Sequence, residues 1–306
     1  MLAVLTGGTG GAKLVAGLNL ETDPAGLAIV CNTGDDFALN GLNISPDLDT
    51  IAYTLAGVAD AEKGWGVAGD TFAALEWLGK YGGEDWFRLG DRDLATHIAR
   101  TRLLREGATL AEATEKICRA LGVQAQLMPM SNDPVETRIQ TPEGEISFQE
   151  YFVKRRWAVE ARGVSYRGAE KSRPAPGALE AIRRARAVIV CPSNPVTSIG
   201  PILAVPGIQA ALKEIRVPVI AVSPLIGGAP VTGPADKLMV AAGMEPTALG
   251  VARAYADFLD VLVIAPEDRD WRTRIEALGV QTVEKAVRMN SLDDKRRLAR
   301  DLLALL

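Results

Sequence analysis

Apolar residues along the chain fall into short runs bounded by turn residues, and this spacing predicts alternating strands and helices. Leu2 to Leu5 reads as a buried strand, followed by a glycine-rich turn and a helical stretch through Leu14 and Leu18. Leu27 to Cys31 reads as a second buried strand, because a short apolar run between turns suits a parallel sheet. After residue 165 the alternation resumes. A helix around Ala178–Ala185 leads into a strand at Ala187–Cys191, and a helix around Ile208–Glu214 into Pro218–Val222. A third helix, around Thr247–Ala256, leads into Val261–Ala265. Repeated units of this kind predict an α/β fold: a doubly wound, mostly parallel, Rossmann-like sheet covered on both faces.

The middle of the chain follows a different pattern. Between about 51 and 165 the segments TFAALEWLGKY and LAEATEKICRALG have helical spacing, and ETRIQT and EISFQEYFV flank the turn Pro142-Glu143-Gly144 as a hairpin. The expected organisation is a Rossmann-like nucleotide-binding domain from 1–50 and 166–306. Residues 51–165 would form a largely helical insertion with a β-hairpin, sitting over the sheet rather than in it. At the far end, SLDDKRRLARDLLALL predicts a helix. Ser291 is its N-cap with Asp294 three residues on, and Leu298, Leu302 and Leu305 line one face.

Composition narrows the function. The 34 basic and 38 acidic side chains leave a formal charge of −4, against a general nucleic-acid binder. Apolar runs are strand-length, well short of the roughly 20 residues a membrane span needs. The opening residues lack the basic segment and long apolar run of a signal peptide. Three widely spaced cysteines, Cys31, Cys118 and Cys191, fit a reduced, cytoplasmic setting better than a disulfide framework. With His97 the only histidine, acid–base and metal chemistry falls to carboxylates.

The first candidate for chemistry is Gly7-Gly8-Thr9-Gly10-Gly11-Ala12-Lys13, between the first strand and first helix. Glycines admit close approach of a ligand, and a helix N-terminus offers N–H groups to phosphate, so Gly8, Thr9, Gly10, Gly11 and Lys13 are candidate nucleotide or phosphate contacts. A P-loop would need Ser or Thr where Leu14 stands, and the dinucleotide fingerprint spacing is missing. The alternative is a tight turn that only packs. The second candidate, Asn32-Thr33-Gly34-Asp35-Asp36, follows the second strand, where the ligand crevice of an open parallel sheet lies. Two adjacent carboxylates there suit magnesium, which takes oxygen ligands and bridges phosphates. A ribose contact and a solvated turn are the competing readings.

Asp47 and Asp49 in Ser45-Pro46-Asp47-Leu48-Asp49-Thr50 either join Asp35 and Asp36 in one acidic cluster or, for Asp49, cap a helix beginning near Thr50. In LGDRDLATH, Arg92 reaches a substrate with its neighbours orienting it, or forms an ordinary surface ion pair. His97, about a turn into the following helix, reads as structural. Trp65 is either a stacking surface or core. Ser193 and Asn194 in Pro192-Ser193-Asn194-Pro195, and Ser223 in SPLIGG, follow strands and open onto the same crevice.

At these residues the chain resembles the 2-phospho-L-lactate transferases of coenzyme F-420 biosynthesis. The resemblance is carried by GGTGGAKL, NTGDD, SPDLDT, LGDRDLATH, SNDP, FQEYFV, PSNPVTSIGPIL and SPLIGGAPVTGPADKLM, in order from residue 5 to about 239. It implies a magnesium-dependent transfer of phospholactate or a similar phospho-acid, such as phosphoenolpyruvate, from a guanosine-diphosphate-linked donor. The acceptor would be the ribityl hydroxyl of the deazaflavin Fo, and GMP would be released. It further implies Fo contacts at Asp49 and Arg92 from an acceptor-binding insertion, and metal at Asp35 and Asp36. The glycine-rich and PSNP loops would hold the nucleotide. Asp49 would orient or deprotonate the acceptor hydroxyl, with Asp35 and Asp36 catalytic through the metal. A homodimer is the family expectation. The rivals are a non-enzymatic nucleotide-sugar-binding regulator of the gluconeogenesis-factor type and a nicotinamide dehydrogenase, the latter disfavoured by the missing GxGxxG.

Overall fold

The computed structural model describes residues 1–231 and 233–306. Seven strands form the main sheet, numbered in chain order: β1 Leu2–Thr6, β2 Leu27–Cys31, β3 Gln126–Pro129, β4 Val188–Val190, β5 Val219–Val222, β6 Val261–Ile264 and β7 Gln281–Glu284. Their spatial order is β7-β6-β5-β4-β1-β2-β3, and every neighbouring pair is parallel. The chain therefore runs outward from β1 on one side, then returns to β4 and runs outward on the other. The reversal between β1 and β4 opens a crevice beyond the carboxyl ends of those strands.

Burial on both faces explains the near-continuous apolar runs. Successive side chains alternate, so Ala3, Leu5, Ala28, Val30, Val188 and Val190 pack into one core. Leu2, Val4, Leu27, Ile29, Ile189 and Cys191 pack into the other. Register sets Ala3 beside Ala28 on one side and Val188 on the other.

The helices that position the site are α1 Gly8–Glu21, α2 Pro46–Leu55, α3 Ala73–Lys80, α4 Asp91–Arg105 and α5 Leu110–Ala120. Two expectations change here. The stretch 51–165 does not all sit over the sheet: α5 leads into β3, which pairs with β2 as an edge strand. Its sequence, QLMP, is short and begins on an exposed glutamine, so it carries little of the apolar run that marks inner strands. The polar β7, QTVE, is the other edge and was equally faint in the pattern. In addition, α2 starts at Pro46 rather than near Thr50, with proline at its first position, where a missing N–H costs nothing. Asp49 is consequently inside the helix and caps nothing.

The expected hairpin is present, with Glu136–Thr141 antiparallel to Gly144–Ser147 and a third strand, Gly163–Arg167, on its other side. The last helix, Leu292–Leu303, begins in the expected capping box: Ser291 Oγ accepts from Asp294 N–H and the Asp294 carboxylate accepts from Ser291 N–H, both at 3.1 Å. Leu298 and Leu302 are buried, whereas Leu305 lies beyond the helix end and is half-buried. Among the described residues no single helix is long and apolar enough to cross a membrane.

Candidate active site

A cavity of about 470 Å³ opens at the switch point, lined by both halves of the chain. Its inner wall is the start of α1. Gly7 precedes the helix, and a side chain there would collide with Asp47 Oδ2 at 2.6 Å and with Asn32 and Ser198 at 2.9 Å. Gly8 has φ +65°, which favours glycine. Gly8, Thr9, Gly10 and Lys13 line the cavity, while Gly11 is buried against Thr6 and Ser193. Of the loop residues expected to touch a nucleotide, Ser193, Asn194 and Ser223 also line it, but each carries local structure. Ser193 Oγ donates to Gly7 O at 2.7 Å, locking two loops together. Asn194 Oδ1 accepts from Val196 N–H at 2.9 Å, and Ser223 Oγ accepts from Leu225 N–H at 3.2 Å.

The four acids of NTGDD and SPDLDT do come together, but not as sequence neighbours pair them. Asn32 Nδ2 donates to Asp35 Oδ2 at 3.2 Å and to Asp47 Oδ2 at 2.9 Å, so these two carboxylates share one donor. Asp36 instead accepts from Ser45 Oγ at 2.7 Å and does not line the cavity. Asp49 is gripped by both terminal nitrogens of Arg100, a side chain only 1% exposed, with Nη1 at 3.0 Å. Two residues along a helix turn through about 200°, so Asp47 and Asp49 face opposite sides of α2.

His97 lies between two carboxylates, Nδ1 facing Asp49 at 3.5 Å and Nε2 facing Asp93 at 3.3 Å. Tyr53 OH donates to Asp93 at 2.8 Å. The ligand atoms of Asp49, Asp93 and His97 all fall within 4.8 Å of one another, a buried group able to hold a metal ion. Arg100 already occupies both oxygens of Asp49, which weakens the case for a cation at that position.

Electrostatics favours a cation nearer the glycine loop. Burial raises the Asp35 carboxyl well above its ordinary value, and the charge of Asp47 adds to the rise. Burial pushes Asp47 up to about 6, against hydrogen bonds from Asn32 and Gly8 that lower it. Asp36 is likewise raised by burial, opposed by Ser45 and Arg100. Asp35 Oδ1 and Asp36 Oδ1 are buried without a hydrogen-bond partner. Buried carboxylates lacking donors are costly, and an oxygen-seeking divalent ion relieves that cost. Asp35 and Asp47 line the cavity together and Asp36 does not, leaving an all-oxygen donor set of the kind a hard divalent ion takes.

The run LGDRDLATH splits three ways. Asp91 accepts from Ala73 and Ala74 N–H at 3.2 and 2.9 Å, holding the start of α3. Asp93 turns inward to His97. Arg92 is exposed, donates from Nη1 to Ala68 O at 3.2 Å and does not line the cavity. Neither neighbouring carboxylate, Asp91 or Asp93, bonds to its guanidinium. The cavity-lining arginines are Arg88 and Arg156, which sequence reasoning passed over. Arg100 was also missed, although Asp93, His97 and Arg100 stand at i, i+4 and i+7 on one face of α4.

Lys13, Arg88 and Arg156 line the cavity with no carboxylate within ion-pair distance among the described residues. Aromatic side chains complete the wall. Trp65, Trp86, Phe87, Phe148 and Phe152 line it, and Phe148, Phe152 and Trp157 stack in a column with centroids 5.3 and 5.1 Å apart. Trp65 is thus a half-buried wall residue rather than core.

A parallel sheet whose switch point carries a glycine-lined helix start, buried acids and unpaired cations defines the class: an α/β enzyme that handles anionic small molecules. The chain matches the family described as 2-phospho-L-lactate transferase CofD over residues 2–301, and it belongs to that family. It is 46% identical to a phosphoenolpyruvate transferase of Streptomyces griseus subsp. griseus over 99% of this chain and 98% of the relative. It is 42% identical to a 2-phospho-L-lactate transferase of Methanosarcina mazei, over 97% of this chain and 98% of the relative. Among solved structures, a member of the UPF0052 family from Bacillus halodurans is similar with a TM-score of 0.66 at 17% identity, covering 99% of this chain and 98% of that one. That likeness supports the fold.

Proposed function

We propose that the protein transfers a phospho-acid, phospholactate or phosphoenolpyruvate, from a guanosine-diphosphate-linked donor to the ribityl hydroxyl of the deazaflavin Fo. The products are an Fo phosphodiester and GMP. The observation that carries this reading is one cavity with buried acids on its floor and unpaired cations on its wall, in a chain that belongs to this transferase family. Such a cavity suits a substrate that arrives as an anion with a divalent ion.

The N–H groups at the start of α1, with Lys13, bind the donor diphosphate. Asp35 and Asp47 would hold magnesium, and Asp36, bonded to Ser45, adds negative charge behind them. Magnesium held there would supply positive charge to offset that of the diphosphate oxygens. Asp49 lines the cavity, held immobile by Arg100, and keeps lone pairs free to orient the acceptor hydroxyl and take its proton. The aromatic wall offers flat surfaces for a deazaflavin ring. The three free, buried cysteines favour a cytoplasmic enzyme.

The test is a mass-spectrometric assay with Fo, magnesium and a panel of guanosine-diphosphate-linked phospho-acids. An Fo phosphodiester appearing with GMP supports the transferase, and the preferred donor identifies the acid. Tight nucleotide binding without product from any donor overturns it in favour of a binding regulator.

A further inference from the structure

Arg155 and Arg156 are adjacent and have opposite fates. Arg155, half-buried, is tied down away from the cavity by Glu143 at 2.5 Å and Glu150 at 2.8 Å. Arg156 lines the cavity and meets no carboxylate among the described residues. Arg88, the other arginine on this wall, already rests on the Phe72 ring at 4.3 Å.

The backbone explains the divergence. Arg156 and Trp157 have φ of +50° and +46°, two consecutive non-glycine residues in the left-handed region. L side chains are rarely found there, and each such residue costs free energy that the surroundings must offset. Here the surroundings do so. Trp157 N–H donates to Tyr151 O at 2.9 Å and Arg155 N–H to Glu150 O at 2.8 Å. The Trp157 ring closes the stack on Phe152 and Phe148. A chain that needed only to turn at this point would carry glycine or asparagine. Arginine in a strained position, exposed at the rim of a cavity it lines and lacking a partner among the described residues, points to an anion that arrives with the ligand.

The donor carries two kinds of anion. Its diphosphate is matched by the α1 start and Lys13, on the Rossmann side of the cavity. Its carboxylate still lacks a partner, and the planar fork of a guanidinium matches a carboxylate bidentately. We propose that Arg156 binds the carboxylate of the phospho-acid being transferred and so sets donor specificity; this rests on the transferase reading above.

Calorimetric titration separates the two. Wild-type, Arg156→Met and Arg156→Gly proteins are titrated, with magnesium and without Fo, with two donors. One is guanosine-diphosphate-linked phospholactate, and the other its isopropyl counterpart, in which a methyl group replaces the carboxylate. Both variants should bind the carboxylate donor about 10–100-fold more weakly, the scale of one lost charge-assisted hydrogen-bonded pair. Affinity for the isopropyl donor should stay within about twofold. Arg156→Gly, free of the left-handed penalty, should melt no lower than wild type. Equal losses for both donors, no loss for either, or a lower melting temperature for the glycine variant would assign Arg156 a structural role and overturn the proposal. Wild-type protein that binds neither donor overturns the transferase reading instead.

Discussion

Two groups of buried carboxylates lie on either side of α2, alike in chemistry and unlike in company. Asp35 and Asp47 share the single amide donor of Asn32 and face the glycine loop with no ion-pair partner among the described residues. Asp49 and Asp93 are enclosed by Arg100, His97 and Tyr53. The first group is open and uncompensated, so it needs a ligand to complete it. The second is largely completed by the protein and holds one acid, Asp49, at a fixed place on the cavity wall. Charge compensation, more than residue type, separates a binding group from a positioning group.

Three changes test that contrast. The largest effect is expected from Asp35→Asn. Turnover should fall by about 10³-fold or more, the scale of losing preorganised electrostatic stabilisation, while thermal stability holds or rises, since a costly buried charge is removed. Near-normal turnover in a steady-state assay would remove Asp35 from the metal site. Next, Arg100→Met strands Asp49 as a buried unpaired charge and should cost about 3–5 kcal/mol in denaturant unfolding. Adding Asp49→Asn should recover part of that loss; strict additivity of the two changes would show that the pair is not coupled.

The smallest effect is in pH dependence. Asp47 is raised to about 6 in the folded protein, above its ordinary value, so between about pH 4 and 6 the folded state binds more protons than the unfolded one. Stability therefore falls as pH rises through that window and stays lower above it, with Asp35 and Asp36 acting in the same direction. Without metal, the melting temperature should drop by a few degrees from pH 4.5 to 6.5, on the order of 2 °C per kcal/mol lost. The drop should shrink in Asp47→Asn, and millimolar magnesium should offset it at pH 7. A melting temperature indifferent to both pH and magnesium would dissolve the distinction between the two groups.

Much of the frame was legible in the residue pattern. The inner strands β1, β2, β4, β5 and β6 are short apolar runs because both their faces are buried, and local composition records that directly. The glycine-lined start of α1 and the capping box at Ser291 are likewise local: each is written within four or five consecutive residues. The edge strands β3 and β7 were faint because an edge strand pairs on one side only and tolerates polar ends.

Within the site, the residue types were legible and their partnerships were not. Adjacent positions in the chain invite adjacent pairing, Asp35 with Asp36 and Asp47 with Asp49. The rotation of α2 sends Asp47 and Asp49 to opposite sides and brings Asp47 to Asp35 through Asn32. Arg92, central to a charged run, points to the Ala68 carbonyl, while Arg100, two turns further along α4, reaches the buried acid. The sequence by itself determined which segments become strands, helices and turns, because those choices depend on neighbours a few residues away. Only the tertiary structure decided which acids meet, which cations stay unpaired and which arginine faces the cavity. Those outcomes depend on groups brought together from 15 to 51 residues apart, where burial and charge, rather than spacing along the chain, choose the partner.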